Sequence, residues 1–177
     1  MTADHHPDSV LFQGEKPFPV LPAVDHYAGS EKLMRKALAL QQEIGPLFDI
    51  TCDCEDGAHA GAEAEHARMA ASIVMSGDNR FGRVGARIHD ITHPHWEQDV
   101  DILVGEAGAR LAFLTLPKPR SVADAARQID ALRSAEERHG IEQAIPVHVL
   151  IETHGALRDA WEIAALDRVE SLDFGLM

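Results

Sequence analysis

The sequence predicts an α/β domain built on a parallel sheet. Apolar runs of β type alternate with segments of helical period from residue 20 to the C-terminus. The runs are near-continuously apolar, as in strands covered on both faces. About six strands and five helices fit into the 177 residues, whereas a complete (β/α)8 barrel takes ~250 residues. An open doubly wound sheet and roughly two-thirds of a (β/α)8 barrel are the two architectures that fit. Residues 1–19 read as an entry segment and 20–177 as the domain, with the Pro-rich stretch 17–22 across the boundary.

Each element has a local reason. Val20–Val24 is a short apolar run. Ser30 is an N-cap type residue. Leu33, Ala37, Leu40 and Ile44 follow at helical spacing, and Gly45-Pro46 ends that helix. Leu47–Cys54 is a buried-type strand. Glu63–Met75 is a helix closed by the turn Ser76-Gly77-Asp78-Asn79. Val84–Ile88 is a third strand, interrupted by Gly85. Trp96–Ala109 is helical, with Val100, Leu103 and Val104 on one face. Leu111–Leu116 is a strand stopped by Pro117. Ser121 begins a helix carrying Ala125, Ile129 and Leu132, and Gly140 ends it. Pro146–Ile151 is a fifth strand, Leu157, Trp161 and Ala165 mark a fifth helix, and Val169–Met177 a sixth strand.

Composition narrows the function. Asp and Glu number 29 against 16 Lys and Arg, a formal charge of −13. That balance opposes nucleic-acid binding, which needs a basic face. No apolar run of ~18 residues is present for a membrane span, and the polar N-terminus lacks the features of a secretory signal. Cys52 and Cys54, spaced C-x-C on one strand face, read as reduced thiols of a cytoplasmic protein. No G-x-G-x-x-G, G-K-[ST] or G-x-S-x-G motif occurs.

In both architectures ligands gather at the C-terminal ends of the strands. The polar residues there are Asp25, His26 and Tyr27; Asp53, Glu55 and Asp56; Arg87, His89 and Asp90; Lys118; and Glu152, Thr153 and His154. Carboxylates with an Arg and a Lys suit a Mg²⁺ ion, which takes oxygen ligands and keeps positions open for substrate. The Arg can hold a carboxylate or a developing enolate. The bland readings are a helix cap for Asp56 and a surface or helix-start lysine for Lys118. His89, His93 and His95 raise a second reading, a His-ligated metal hydrolase. Solvated or supporting histidines are the preferred explanation, since Pro94 interrupts the H-x-H pair in a loop before Trp96.

Five pieces, in order, resemble the HpcH/HpaI aldolase and citrate lyase β-subunit family, which includes malyl-CoA lyase-like enzymes. They are Asp53-Cys-Glu-Asp56, Ala86-Arg87-Ile88-His89 followed by Trp96, Leu116-Pro-Lys118, Leu150-Ile-Glu-Thr153 with Gly155, and Leu172-Asp-Phe-Gly175. The resemblance runs from about Leu47 to the C-terminus. It implies a (β/α)8 barrel of which about the first six strands are present. It also implies a Mg²⁺-dependent carbon–carbon lyase acting on a β-hydroxyacyl-CoA or related thioester such as citryl-, malyl- or citramalyl-CoA.

In that reading Glu152 is a Mg²⁺ ligand, with a second carboxylate expected beyond Met177 and hence a longer intact protein. Arg87 stabilises the enolate oxygen and contacts substrate together with Glu152 and Lys118. Glu55 and Asp56 order the metal shell. The family also implies a homo-oligomer, a trimer or hexamer. The family's Arg-containing opening motif has no counterpart here; Leu21-Pro-Ala-Val-Asp-His-Tyr27 stands in its place. A barrel remnant without turnover, serving binding or assembly, is the third reading.

Overall fold

The structure, a computed structural model, describes residues 21–174. The entry segment 1–19, the start of the first apolar run at Val20 and the end of the predicted sixth strand at Gly175–Met177 lie outside the described residues. The elements in chain order are β1 (Asp25–Ala28), α1 (Glu31–Ile44), β2 (Asp49–Asp53), α2 (Glu63–Met75), β3 (Val84–Arg87), α3 (Trp96–Ala107), β4 (Leu114–Leu116), α4 (Val122–His139), β5 (Val147–Leu150), α5 (His154–Arg158), α6 (Ala160–Ala164) and β6 (Val169–Asp173). Among the described residues, no helix is long and apolar enough to cross a membrane.

Strand order separates the two architectures. The six strands run β1-β2-β3-β4-β5-β6, and every pair is parallel. A doubly wound sheet reverses its order at a switch point. Here each crossover steps to the next neighbour in the same direction. With right-handed crossovers, that puts all helices on one face and turns the other face inward. The curl is visible in the side chains: ligand atoms of Asp25 on β1, His148 on β5 and Asp173 on β6 lie within 4.8 Å of one another. The chain is thus part of a (β/α)8 barrel.

The strands are not apolar on both faces, as their composition suggested. Period-2 alternation puts Ile50, Cys52, Cys54, Val84, Ala86, Leu114, Leu116, Val147 and Val149 against the helices, all fully buried. The alternate positions face the lumen and are largely polar. Thr51 donates to the Asp25 carboxylate at 2.7 Å, and His148 stacks on Phe113 with ring centroids 3.9 Å apart. Gly85 leaves room for that ring, since a Cβ there would stand 2.3 Å from it. Both cysteines are free and on the helix side, where burial pushes the Cys52 thiol up to about 12.

The helix signals hold where caps decide them. Ser30 and Ser121 accept from Leu33 N and Asp124 N, and Gly140 takes the left-handed C-cap conformation at φ 66°. Three expectations need correction. The first strand is Asp25–Ala28, shifted past the apolar run, and Val24 is exposed. In α1 the buried stripe is Met34, Ala37, Leu38 and Gln41, while Leu33, Leu40 and Ile44 are exposed. The Gln41 amide is what shifts the stripe: it bonds Phe48 O at 2.6 Å. The predicted fifth helix is two short ones, buried through Ala156 and Ile163. Leu157 and Trp161 are exposed, Trp161 at 88%.

The loop after β4 is fastened to the start of α5. Thr153 caps α5 and also donates to Pro119 O. A Cβ on Gly155 would stand 1.8 Å from Arg120 O, a backbone atom that moves only with the loop. Gly155→Ala is therefore expected to destabilise the fold by ~3 kcal/mol, the upper end for overpacking. Gly77→Ala, where an added Cβ meets nothing within 4 Å, should change stability by under ~0.5 kcal/mol. Urea denaturation of both variants checks this; equal midpoints would contradict it.

Candidate active site at the strand ends

β2 and β3 lie side by side with Asp53 in register with Arg87. Arg87 therefore reaches its partner straight across the sheet. Its Nε and one terminal nitrogen donate to the two Asp53 oxygens at 2.8 Å each. The same nitrogen donates to Asp56 Oδ2 at 2.7 Å. The other, Nη1, stands 3.0 Å from Glu55 Oε2 as an ion pair without hydrogen-bond alignment. The guanidinium lies over the Tyr27 ring, 5.2 Å from its centroid. Burial opposes its charge, but the bonds and fields of Asp53, Glu55 and Asp56 win and raise its pKa further.

The loop after β2 is shaped by the same carboxylate. Asp53 Oδ1 accepts from Glu55 N at 3.0 Å and Asp56 N at 3.3 Å, an Asx turn. Asp53 O bonds His66 Nε2 at 2.9 Å. Gly57 is required by crowding, because its Cβ would stand 2.3 Å from Asp53 O and 2.5 Å from Gly29 O. Asp56 is not a helix cap: α2 begins at Ala62 without a side-chain cap, and Asp56 spends its carboxylate on Arg87.

Lys118 closes the other side. It sits between Pro117 and Pro119 at φ 49°, a strained backbone for a non-glycine residue. Its Nζ bonds Glu55 Oε1 at 3.0 Å. Burial raises the Glu55 pKa, and the Lys118 bond and the Arg87 charge only partly offset this. Glu152 follows β5. It is exposed rather than tightly held, and no hydrogen bond or ion pair to it is found among the described residues. It borders a cavity of about 460 Å³ together with Tyr27, Asp56, Arg87 and Lys118. A second cavity of about 770 Å³ continues past Glu152 and Lys118 to Arg120, His154 and Leu157.

All five residues singled out from the sequence, Glu55, Asp56, Arg87, Lys118 and Glu152, thus gather at one rim. Four carboxylates, counting Asp53, face two cations there. Mg²⁺ takes carboxylate oxygens, and the open Glu152 carboxylate fits that donor type. The sequence reading undervalued Asp53, the chief partner of Arg87, and missed Tyr27 as its platform. Tyr27 is the chain's single tyrosine, and its period-2 spacing from Asp25 was the available signal.

The histidine cluster does not form a metal site. His89 is buried and pairs with Asp99 at 2.6 Å through Nδ1, while its backbone N–H bonds the same carboxylate. His93 stacks on His89 at 4.0 Å, and His95 bonds Gln98. Among the described residues these three do not bring ligand atoms together, so the hydrolase reading has no geometry behind it.

No family model matches the chain. An L-malyl-CoA/beta-methylmalyl-CoA lyase of Cereibacter sphaeroides is 31% identical over 131 residues, which is 71% of this chain and 40% of that one. A citrate lyase from Burkholderia xenovorans superposes with a TM-score of 0.84 at 54% identity, covering 90% of this chain and 50% of that one. A citrate lyase beta subunit from Mycobacterium tuberculosis, solved with oxaloacetate and magnesium, gives a TM-score of 0.60 at 22% identity over 86% of this chain and 56% of that one, a likeness of fold. The chain spans about half the length of these relatives, or less. By its ordered strand-end motifs, its partial (β/α)8 barrel and its likeness to these proteins, the chain belongs to the HpcH/HpaI aldolase/citrate lyase family.

Proposed function

We propose that the rim belongs to a Mg²⁺-dependent carbon–carbon lyase that cleaves a β-hydroxyacyl-CoA or related thioester of the malyl, citramalyl or citryl type. The observation that carries this reading is Arg87, clamped on one edge by Asp53 and Asp56 and bordering the same cavity as Lys118 and the open Glu152 carboxylate. The names of the malyl-CoA lyase and citrate lyase relatives support the substrate class. The magnesium in the M. tuberculosis structure supports the metal. The family resemblance supports a homo-oligomer, trimeric or hexameric, and the exposed Trp161 offers an apolar contact for a neighbouring surface. In this reading the enzyme works in the cytoplasm.

Glu152 would hold the Mg²⁺, completed by oxygen ligands from the substrate and from a further carboxylate. Bound there, the ion would polarise the substrate's carboxylate and its neighbouring hydroxyl or carbonyl oxygen. The chain's own residues do the rest. As the substrate's β-hydroxyl gives its proton to solvent and becomes the carbonyl of the departing 2-oxo acid, the C–C bond breaks, its electron pair moves toward the thioester, and charge grows on an enolate oxygen until a proton is taken up at carbon. Arg87 meets that charge with Nη1, which faces Glu55 as an ion pair but makes no aligned hydrogen bond to it among the described residues. Its other edge is already fixed, so no reorganisation is needed as the charge forms. Lys118 adds a second positive charge at the cavity mouth. Glu55 and Asp56 hold both cations in position and order the surroundings of the metal.

Glu152→Gln removes one charge at constant volume from an exposed position. It is expected to leave the fold intact, weaken Mg²⁺ binding by more than ~10-fold, and abolish Mg²⁺-dependent turnover. Calorimetric titration with Mg²⁺ and an assay on malyl-CoA, citramalyl-CoA and citryl thioesters check this. Undiminished Mg²⁺-dependent cleavage would remove Glu152 from the metal site. Arg87→Lys keeps the charge but loses the forked geometry. Its kcat should fall ~100- to 1000-fold, the size typical of a lost transition-state donor, with Mg²⁺ affinity little changed. Parallel losses of kcat and Mg²⁺ affinity would instead make Arg87 a support of the metal.

A further inference from the structure

Below the rim, the lumen holds a polar cluster that the proposed reaction does not use. Asp25, His148 and Asp173 turn one ligand atom each toward a common point, all within 4.8 Å of one another. They border a cavity of about 350 Å³. No other group of three such side chains is found among the described residues. Lumen layers of barrels are usually filled by branched apolar residues, so this layer needs a physical account.

His148 fixes the geometry. It is 3% exposed. Its ring stacks on Phe113, and its Nε2 faces Glu170 Oε2 at 3.3 Å. Its Nδ1 points toward Asp173 Oδ2 at 3.6 Å, and both atoms are buried without a hydrogen-bond partner among the described residues. With Nε2–H donating to Glu170, Nδ1 presents a lone pair to a carboxylate oxygen. Two acceptors then face one another across a gap, which calls for positive charge between them. A proton on Nδ1 supplies one charge against the three carboxylates of Asp25, Asp173 and Glu170. That leaves two carboxylates without a matching positive charge in a largely buried place. Asp49, which also borders the cavity, is paired with Arg83 at 2.6 Å.

We propose that Asp25, Asp173 and His148, through Nδ1, bind one divalent transition-metal ion of the Zn²⁺ or Mn²⁺ class inside the barrel, with Glu170 orienting the imidazole. Two carboxylates and one imidazole suit such ions better than Mg²⁺, which favours oxygen alone. A metal-binding histidine that donates its other N–H to a carboxylate is the common arrangement. Ligand atoms of a tetrahedral ion at about 2.1 Å lie about 3.4 Å from one another. The 3.6 Å between His148 Nδ1 and Asp173 Oδ2 is close to that, so uptake mainly draws Asp25 inward and ties β1 to β5 and β6 across the lumen. The site lies beneath the rim: Asp25 borders both cavities, but none of the three ligands is one of the residues assigned to the reaction.

The test uses the purified protein, stripped with chelator and then titrated with Zn²⁺, Mn²⁺ and Co²⁺. Metal content is read by mass spectrometry after desalting, and Co²⁺ by visible absorption. One retained ion per chain is expected, with a Co²⁺ spectrum of a nitrogen- and oxygen-ligated ion and a raised Tm. The near-isosteric Asp25→Asn and His148→Gln should each weaken retention at least 10-fold, while Glu152→Gln, which alters only the rim, should retain the ion. Circular dichroism verifies that the variants fold; if either does not, the wild-type Co²⁺ spectrum decides. Absence of any retained ion, a Co²⁺ spectrum like that of the aqueous ion, or loss in Glu152→Gln but not in the lumen variants overturns the proposal.

Discussion

The pairing of Arg87 with Asp53 is the contact on which the rim depends. Both groups are more than nine-tenths buried, so each charge has given up most of its water. Such a pair adds little net stability, but removing one partner typically costs about 3–5 kcal/mol, because the other charge is then stranded. What the pair provides is position. The parallel register sets Asp53 opposite Arg87, the forked hydrogen bonds fix the guanidinium plane, and Tyr27 supports its face. The same Asp53 carboxylate folds the following turn through its bonds to Glu55 N and Asp56 N. One side chain thus orients the arginine and delivers two further carboxylates to it.

The barrel architecture explains why these groups meet. In a singly wound parallel sheet every strand ends on the same side, so residues far apart in sequence converge without long loops. Glu55 reaches Lys118 across 63 positions of sequence in this way. The strained backbone at Lys118, held between two prolines and fastened through Thr153 to α5, fits a position whose conformation is fixed by its surroundings. The polar lumen is a second consequence of the curl. Inward positions on β1, β5 and β6 meet across the barrel, and a row of ionisable groups placed there must be balanced by protons, by one another or by a cation.

Much of this was legible in the sequence, and the failures have physical causes. Alternating apolar runs and helical segments gave the parallel α/β class, and the five ordered motifs gave the barrel and its rim residues. Composition alone left the open sheet in contention, because strand order is a long-range property. Helix faces were misread where a polar residue joins the core: Gln41 is buried by its bond to Phe48 O, which rotates α1 and exposes Leu33, Leu40 and Ile44. The strands Asp49-Ile-Thr-Cys-Asp53 and Val147-His-Val-Leu150 alternate polar and apolar in plain view. Reading them as continuously apolar hid the lumen cluster, and with it the roles of Asp25 and His148. The exposure of Trp161 is set by a break into two short helices that no proline or glycine marks.

The most direct measurement of the central claim is calorimetric binding of a 2-oxo acid, such as oxaloacetate or glyoxylate, to the purified protein with Mg²⁺ present and after its removal by chelator. A rim that joins an open carboxylate to a fixed arginine predicts binding that needs Mg²⁺, vanishes with chelator and returns when Mg²⁺ is restored. Equal affinity with and without Mg²⁺, or no binding in either state, would contradict the assignment of this rim to a metal-dependent lyase.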